Sequence, residues 1–361
     1  MLLKLLERID RRRFLPHVIS LTSLGEIGPR IEALGISVEC LGMKAGIPNP
    51  LVLFRLAWRL RSIRPNVVHT WMHHADLLGG LAARMAGVKA IAWGIRSSNL
   101  DVNMTKWSTR VVVRLCALLS AWLPKRILCN SEGGRQVHVM VGYDKRKMVV
   151  VPNGFDLVRF KPDESARVAV RAELGLPKET PLVGLLGRYD VQKNQGGFIE
   201  AAGLLRERRP DVHFVLAGLD VDWDNESLLS AAKSAGVLNA IHLLGLRDDV
   251  PRLIASFDVL ASSSHGEGFP NVLGEAMACG VPCAVTDVGD SAYIVGDTGQ
   301  VVASGDMVGL AKAIGSLLEL PTDKKRDAGY RARRRIEDYF EIGRVVGKYE
   351  NIYDQLAGQV D

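Results

Sequence analysis

The sequence lacks any long apolar run. Its most apolar stretch, near Leu115–Leu123, is too short to span a bilayer, so no transmembrane helix is expected. The N-terminus, MLLKLLERIDRRRF, has no apolar core followed by a small-residue cleavage site, which argues against a secretory leader. Cysteine is scarce. Five thiols in 361 residues, an odd number, fit reduced side chains in a cytosolic setting better than a disulfide framework. Cys279 and Cys283 lie four apart, but no second pair completes a zinc site, and buried thiols are the expected reading. The G-x-x-x-x-G-K-[ST] loop is absent, which excludes a P-loop ATPase, and no G-x-G-x-x-G opens the first strand–helix unit, which leaves dinucleotide redox chemistry without support. No clear Asp-x-Asp or His/carboxylate metal site is read, so neither metal nor cofactor is expected.

Hydrophobic residues make up 47% and charged residues 24%, the balance of a globular protein, and the length favours two domains over one core. The net charge of +6 suits anionic partners: nucleic acid, acidic lipid or phosphorylated small molecules. Nucleic acid has the least support, because no recognition helix or basic–aromatic cluster is visible. Short all-apolar strands such as PLVGLLG (181–187), VHFVLAG (212–218) and DVLASSS (258–264) alternate with helical periodicity along both halves. That rhythm predicts an α/β fold of two doubly wound parallel sheets. Turn residues cluster over 152–180 and predict the boundary there, giving domains 1–160 and 161–334. A long C-terminal helix, about 335–361, is expected to pack back on the first domain.

Open parallel sheets bind ligands at the carboxyl ends of their strands, so the residues following each strand matter most. Arg188 and Lys193 follow the strand PLVGLLG and precede a helix. Two cations beside helix amides suit a diphosphate, although a solvated pair of loop charges accounts for the local pattern equally well. After DVLASSS, Glu267 and Glu275 stand eight positions apart around a Gly-Phe-Pro-Asn turn. Carboxylates accept hydrogen bonds from vicinal hydroxyls, and the amides between them suit a phosphate. The alternative is a capping carboxylate and a solvated helix charge.

Taken together, HGEGFPNVLGEAMACGVPCAVTDVGD (265–290), GRYDVQKN (187–194) and VPNGFDLVRF (151–160) resemble the motifs of family 4 ("group 1") retaining glycosyltransferases of GT-B fold, of the bacterial polysaccharide and glycan type. The resemblance implies two Rossmann-like domains facing a cleft. It implies a hexosyltransferase-type enzyme that moves a sugar from a nucleotide-diphosphate sugar, expected to be a UDP-sugar, to a glycan or lipid-linked acceptor. Arg188 and Lys193 would bind the donor diphosphate, Glu275 the ribose and Glu267 the transferred sugar. Leu244 and Arg247 would lie near the nucleobase. Gly268, Phe269, Pro270, Asn271 and Val272 would offer amides to phosphate or sugar. A competing reading keeps nucleotide-sugar binding without transfer, in a membrane-surface or assembly protein.

In the first half, VVHTWMHHADLLGG places His69, His73 and His74 at a strand end, and His74, opening the next helix, is the catalytic candidate. Where many relatives place a histidine after the next strand, Arg96 and Asn99 stand, and they become candidate acceptor or phosphate contacts. Relatives also begin with a strand and Gly-rich loop ahead of the helix that starts at Met1, so the first sheet is expected to lack a central member. Residues 105–126 mix five cations with Trp107 and Trp122. That face suits either an anionic membrane surface, with the protein peripheral on its cytoplasmic side, or a core helix with snorkelling arginines.

Overall fold

The computed structural model describes residues 1–44, 50–97, 100 and 106–358. They divide into two compact units, Met1–Gly154 with Ile342–Asp361, and Phe155–Glu341.

The first unit runs α1 (Leu2–Arg8), β1 (Val18–Ser20), α2 (Gly28–Glu32), β2 (Val38–Cys40), α3 (Pro50–Ile63), β3 (Val68–His69), α4 (His73–Met85), β4 (Ile91–Ile95), α5 (Trp107–Ser120), β5 (Arg126–Cys129), α6 (Glu132–Val141) and β6 (Met148–Val150). All its ladders are parallel. β1 pairs with β2, and β3-β4-β5-β6 form a separate four-stranded sheet. Every residue of β4 is buried, as expected of a strand covered on both faces. Strand alternation sends Ile91, Trp93 and Ile95 to the face covered by α3, α4 and α5, and Ala92 to the opposite face.

The second unit runs α7 (Glu164–Glu173), β7 (Leu182–Leu186), α8 (Gln195–Arg206), β8 (His213–Ala217), α9 (Glu226–Ser234), β9 (Ile241–Leu243), α10 (Val250–Ala255), β10 (Val259–Ser262), α11 (Asn271–Ala278), β11 (Cys283–Thr286), α12 (Ser291–Val295), β12 (Gln300–Val302), α13 (Met307–Leu318) and α14 (Thr322–Tyr339). Its six parallel strands lie in the order β12-β11-β10-β7-β8-β9. One face packs on α8 and α13, the other on α10, α11 and α14. Both units are Rossmann-like α/β layers. The chain then returns to the first unit as α15 (Ile342–Ala357), whose Ile342, Val345, Val346 and Tyr349 join Leu5, Ala92 and Leu128 on the second face of that sheet.

Two boundaries differ from the sequence expectation. The division falls at Gly154/Phe155, not after residue 160, because the Phe155 ring belongs to the second core. It stacks on Phe269 at 6.2 Å, and Gly274 leaves it room, since a Cβ there would lie 2.1 Å from the ring. The single long C-terminal helix is two helices. Phe340 breaks it with φ −131° and a fully buried ring, and its carbonyl accepts from Phe155 N at 2.9 Å. The stretch 152–180, expected to be turn-rich linker, also holds α7, whose N-cap Asp163 accepts from Ala166 N at 3.0 Å.

Candidate nucleotide-sugar site

β7 and β10 are neighbours, with β8 and β9 to one side and β11 and β12 to the other. Their following loops therefore diverge where the strand order reverses, the crevice in which open α/β sheets bind ligands. The loop after β7 carries Arg188, turns once through Val191–Lys193, and reaches Asn194 in the left-handed conformation (φ 49°). The loop after β10 carries Ser263 to Pro270 into α11.

Hydrogen bonds stitch the two loops together. The Asn194 Oδ1 caps α8 by accepting from Gly197 N at 3.1 Å, while its Nδ2 donates to the Ser263 carbonyl at 3.2 Å. The Ser263 hydroxyl donates to the carbonyls of Lys193 and Asn194, at 3.1 and 2.8 Å. His265 N donates to the Gln192 carbonyl at 2.7 Å. So anchored, Lys193 Nζ donates to Glu267 Oε1 at 2.6 Å, and Ser264 Oγ donates to the same oxygen at 2.7 Å. Cation and carboxylate thus meet although 74 positions separate them.

Arg188 is exposed and donates through Nη2 and Nε to Asp190 Oδ2, at 2.8 and 3.1 Å. The Gln192 amide, then the Arg188 guanidinium, hold the Asp190 carboxyl below its usual range. Asp190 therefore stays ionised and tethers Arg188 at the rim without burying it. α11 begins with no side-chain cap, and its positive N-terminal end favours an anion. Glu275 lies one turn along α11 and is half-buried. Phe269 and Pro270 are buried, and the Phe269 ring lies against Phe155 and Phe340, so residue 269 can offer a ligand its backbone only. Gly268, Asn271 and Val272 frame the same turn, with the Gly268 carbonyl accepting from Asp290 N at 3.0 Å. Leu244 and Arg247 follow β9, two strands from β7. Leu244 is half-buried, and Arg247 is engaged by Asp249 at 2.8 Å and Glu173 at 2.7 Å.

The first unit has its own polar row at the carboxyl ends of β3–β5. His74 is exposed in the first turn of α4. Its neighbour His73 is buried, with Nε2 2.8 Å from His138 Nε2. Arg96 is already held: Nη1 donates to Asn153 Oδ1 at 2.9 Å, Nη2 donates to the Tyr349 hydroxyl, and the guanidinium lies 4.2 Å from the Trp71 ring centroid. Asn99 lies outside the described residues.

Two family models match this chain: "Glycosyltransferase Family 4" over residues 1–159 and "Glycosyl transferases group 1" over 180–320. The chain belongs to the family 4, group 1 glycosyltransferases. The transferase is 27% identical over 304 residues to the Escherichia coli UDP-Gal:alpha-D-GlcNAc-diphosphoundecaprenol alpha-1,3-galactosyltransferase, covering 82% of this chain and 77% of that one. It is 25% identical over 273 residues to the Campylobacter jejuni N,N'-diacetylbacillosaminyl-diphospho-undecaprenol alpha-1,3-N-acetylgalactosaminyltransferase, covering 73% and 70%. Among solved structures, Anabaena HepE in complex with UDP superposes with a TM-score of 0.85 at 22% identity, over 98% of this chain and 95% of that one, and shares the fold.

Two features of the transferase are only incompletely legible in the sequence. The first is Asp220-Val221-Asp222 after β8, an Asp-x-Asp in letter. Its Val221 is fully buried, Asp222 accepts from Asp224 N at 3.1 Å, and among the described residues no three His, Cys, Asp or Glu side chains converge as metal ligands.

The second is Asp76, fully buried in α4, whose Oδ1 accepts from Thr70 Oγ1 at 2.6 Å and Gly94 N at 3.2 Å. Its Oδ2 is buried with no hydrogen-bond partner. Burial pushes this carboxyl up to about 8, outweighing both hydrogen bonds and the nearby Arg96 charge. A carboxyl raised from 3.8 stabilises the fold most below that value, and the contribution is lost as pH rises to about 8. His69 and His73 act oppositely. Burial lowers them to about 3 and about 4, so their contribution is lost as pH falls below 6.5. On the acid side the two histidines outweigh Asp76; above neutrality the Asp76 loss is opposed by the Met1 amino group, which burial lowers from 8.0 to about 6 and whose contribution grows as pH rises toward 8. From pH ~6.5 to pH ~8 the Asp76 share amounts to about 2 kcal/mol. Asp76→Asn keeps an acceptor for Thr70 and Gly94 but cannot ionise. Between these two pH values the melting temperature of the parent should drop by about 4 °C relative to that of the variant. Equal slopes in the two proteins would refute the assignment.

Proposed function

We propose that the chain transfers a sugar from a UDP-sugar to a hydroxyl of a glycan or lipid-linked acceptor, with retention at the anomeric carbon, in bacterial glycan assembly at the cytoplasmic face of a membrane. The observation carrying this reading is the Lys193–Glu267 contact at the switch point, with Arg188 at its rim. In the reaction the anomeric C–O bond to the diphosphate breaks, the acceptor oxygen bonds to that carbon, and the acceptor proton passes to the leaving phosphate. Positive charge grows on the sugar ring and negative charge on the departing oxygen. Lys193 and Arg188 meet the negative charge, the α11 amides add to it, and Glu267 faces the sugar. We propose that these groups suffice without metal or cofactor. The Escherichia coli and Campylobacter relatives, whose names specify diphosphoundecaprenol acceptors, support the lipid-linked class, and the UDP bound by HepE supports the donor class. No helix among the described residues is long and apolar enough to cross a membrane.

A thermal-shift screen across nucleotide sugars tests the donor assignment. The matching donor should raise the melting temperature of the parent, since a ligand that binds only the folded state stabilises it. Glu275→Ala should abolish that shift by removing the ribose acceptor. A shift that survives the substitution would discredit Glu275. Donor hydrolysis should persist in excess chelator, and its loss would return the metal question to Asp220 and Asp222. Binding with neither hydrolysis nor transfer would favour a nucleotide-sugar binder over an enzyme.

A further inference from the structure

α3, α4 and α5 pack side by side over one face of the β3–β6 sheet, burying Leu56, Leu60, Ala83, Val113 and Cys116 beneath them. Their outward faces are not the usual charged surface. Phe54 and Trp58 on α3 are 59% and 70% exposed. Trp107 and Leu118 on α5 and Trp122 just beyond it are 73%, 79% and 59% exposed. These are large apolar side chains left in water, and they form stripes. Positions 54, 58 and 61 share one helix face, as do 107, 114 and 118. Within each stripe the remaining member is an exposed arginine, Arg61 on α3 and Arg114 on α5. Arg84 of α4 lies 5.1 Å from the Trp122 ring centroid and joins the second stripe to the middle helix.

Apart from Arg59, which is paired with Glu39 of β2, the charge here is of one sign. From Pro50 to Ala75 the sequence holds four arginines and no Asp or Glu, and from Lys106 to Ser131 it holds five Lys or Arg and again no Asp or Glu. Such a surface repels a second copy of itself, so self-association is disfavoured. Phosphates of a nucleic acid would satisfy the cations but leave Leu118 and the tryptophans in water. An anionic bilayer surface satisfies both, with indole rings at headgroup depth, the leucine below them and arginines among lipid phosphates.

We propose that the outward faces of α3 and α5 dock this protein on an anionic lipid bilayer, with Phe54, Trp58, Trp107, Leu118 and Trp122 entering the interface. The inference rests on the proposed lipid-linked acceptor and identifies the surface that would bring the protein to it. Both helices begin at the carboxyl edge of the sheet, so docking along them would place that edge beside the headgroups.

The test is sedimentation of the full chain with phosphatidylcholine vesicles containing about one third phosphatidylglycerol, against pure phosphatidylcholine. The parent should bind the anionic vesicles at least about ten-fold more tightly, and binding should weaken as salt rises from ~0.1 to ~0.5 M. Trp58→Ser with Trp107→Ser, and separately Arg61→Glu with Arg114→Glu, should each weaken it about ten-fold or more. All four residues are exposed, so melting temperatures should stay near the parent value. Unchanged binding by both double variants would overturn the proposal, as would failure of the parent to bind or displacement of the vesicles by duplex DNA. Donor hydrolysis in vesicle-free buffer separates the two readings. Vesicle binding without hydrolysis leaves the surface standing and removes the enzyme, whereas hydrolysis without vesicle binding does the reverse.

Discussion

Lys193→Ala should lower kcat about 10²–10³-fold, the usual cost of removing one preorganised group that meets charge on a leaving oxygen. The side chain is well placed for that effect. It reaches Glu267 at 2.6 Å across the junction of two loops, and its backbone is locked by the Ser263 hydroxyl and by Asn194 capping the next helix. Little of this depends on the ammonium group itself, so the variant should fold. Glu267 keeps the Ser264 hydroxyl at 2.7 Å, and Asn194 and Ser263 keep their bonds. The loss should appear in kcat more than in KM, because charge on the diphosphate oxygen is greatest in the transition state. Lys193→Arg tests geometry at constant charge. Its longer planar head cannot reproduce a single short contact to Glu267 Oε1, so it should recover only part of the rate. Steady-state kinetics with the matching donor read all of this. A Lys193→Ala protein with parental kcat would remove the central group of the proposed mechanism.

Much of this site could be read from the letters, and the reason is local. In a parallel α/β unit the strand ends are set by short apolar runs, and the residues after them are bound to line the carboxyl edge. PLVGLLG and DVLASSS are such runs, so Arg188, Lys193 and Glu267 could be placed before any coordinates. What could not be read depends on partners distant in sequence. Phe155 reads as part of a linker until Gly274 provides the space for its ring. Phe340 reads as the middle of a helix, and helical periodicity on both sides hides the break, because its carbonyl is taken by Phe155 N, 185 positions earlier. Asp76 looks like an ordinary first-turn acid on α4. Only the fold shows it sealed beneath Thr70 and Gly94, with a carboxyl that stays protonated at neutral pH. The exposed aromatic stripe of α5 is legible only as one of two alternatives, a membrane face or a core helix, and that of α3 fails for a related reason. Their periodicity signals an amphipathic helix, but composition cannot say which of two apolar faces is buried.

Gly289→Ala should lower kcat about 10²-fold although residue 289 carries no functional group. Gly289 sits in the loop after β11 at φ 55°, and a Cβ there would lie 2.3 Å from the Glu267 carbonyl oxygen and 2.8 Å from that of Gly268. Both are backbone atoms, so no side chain can rotate aside. Around them the loop is pinned on both sides, since Asp290 N donates to Gly268 O at 3.0 Å and Thr286 Oγ1 donates to Ser264 O at 2.7 Å. An added methyl group therefore has to push the Glu267 backbone away from β11. A displacement near 1 Å in a positioned group commonly costs about 10²-fold in rate. Overpacking together with the left-handed conformation should cost roughly 2–4 kcal/mol of stability. Gly236→Ala supplies the control. It has a similar φ of 67° with no atom within 4 Å of the new Cβ, so it suffers the conformational strain alone. Its kcat should match the parent while its melting temperature falls slightly. If the two variants lose activity equally, backbone strain rather than displacement of Glu267 is responsible. If Gly289→Ala keeps full activity, the position of Glu267 does not limit the reaction.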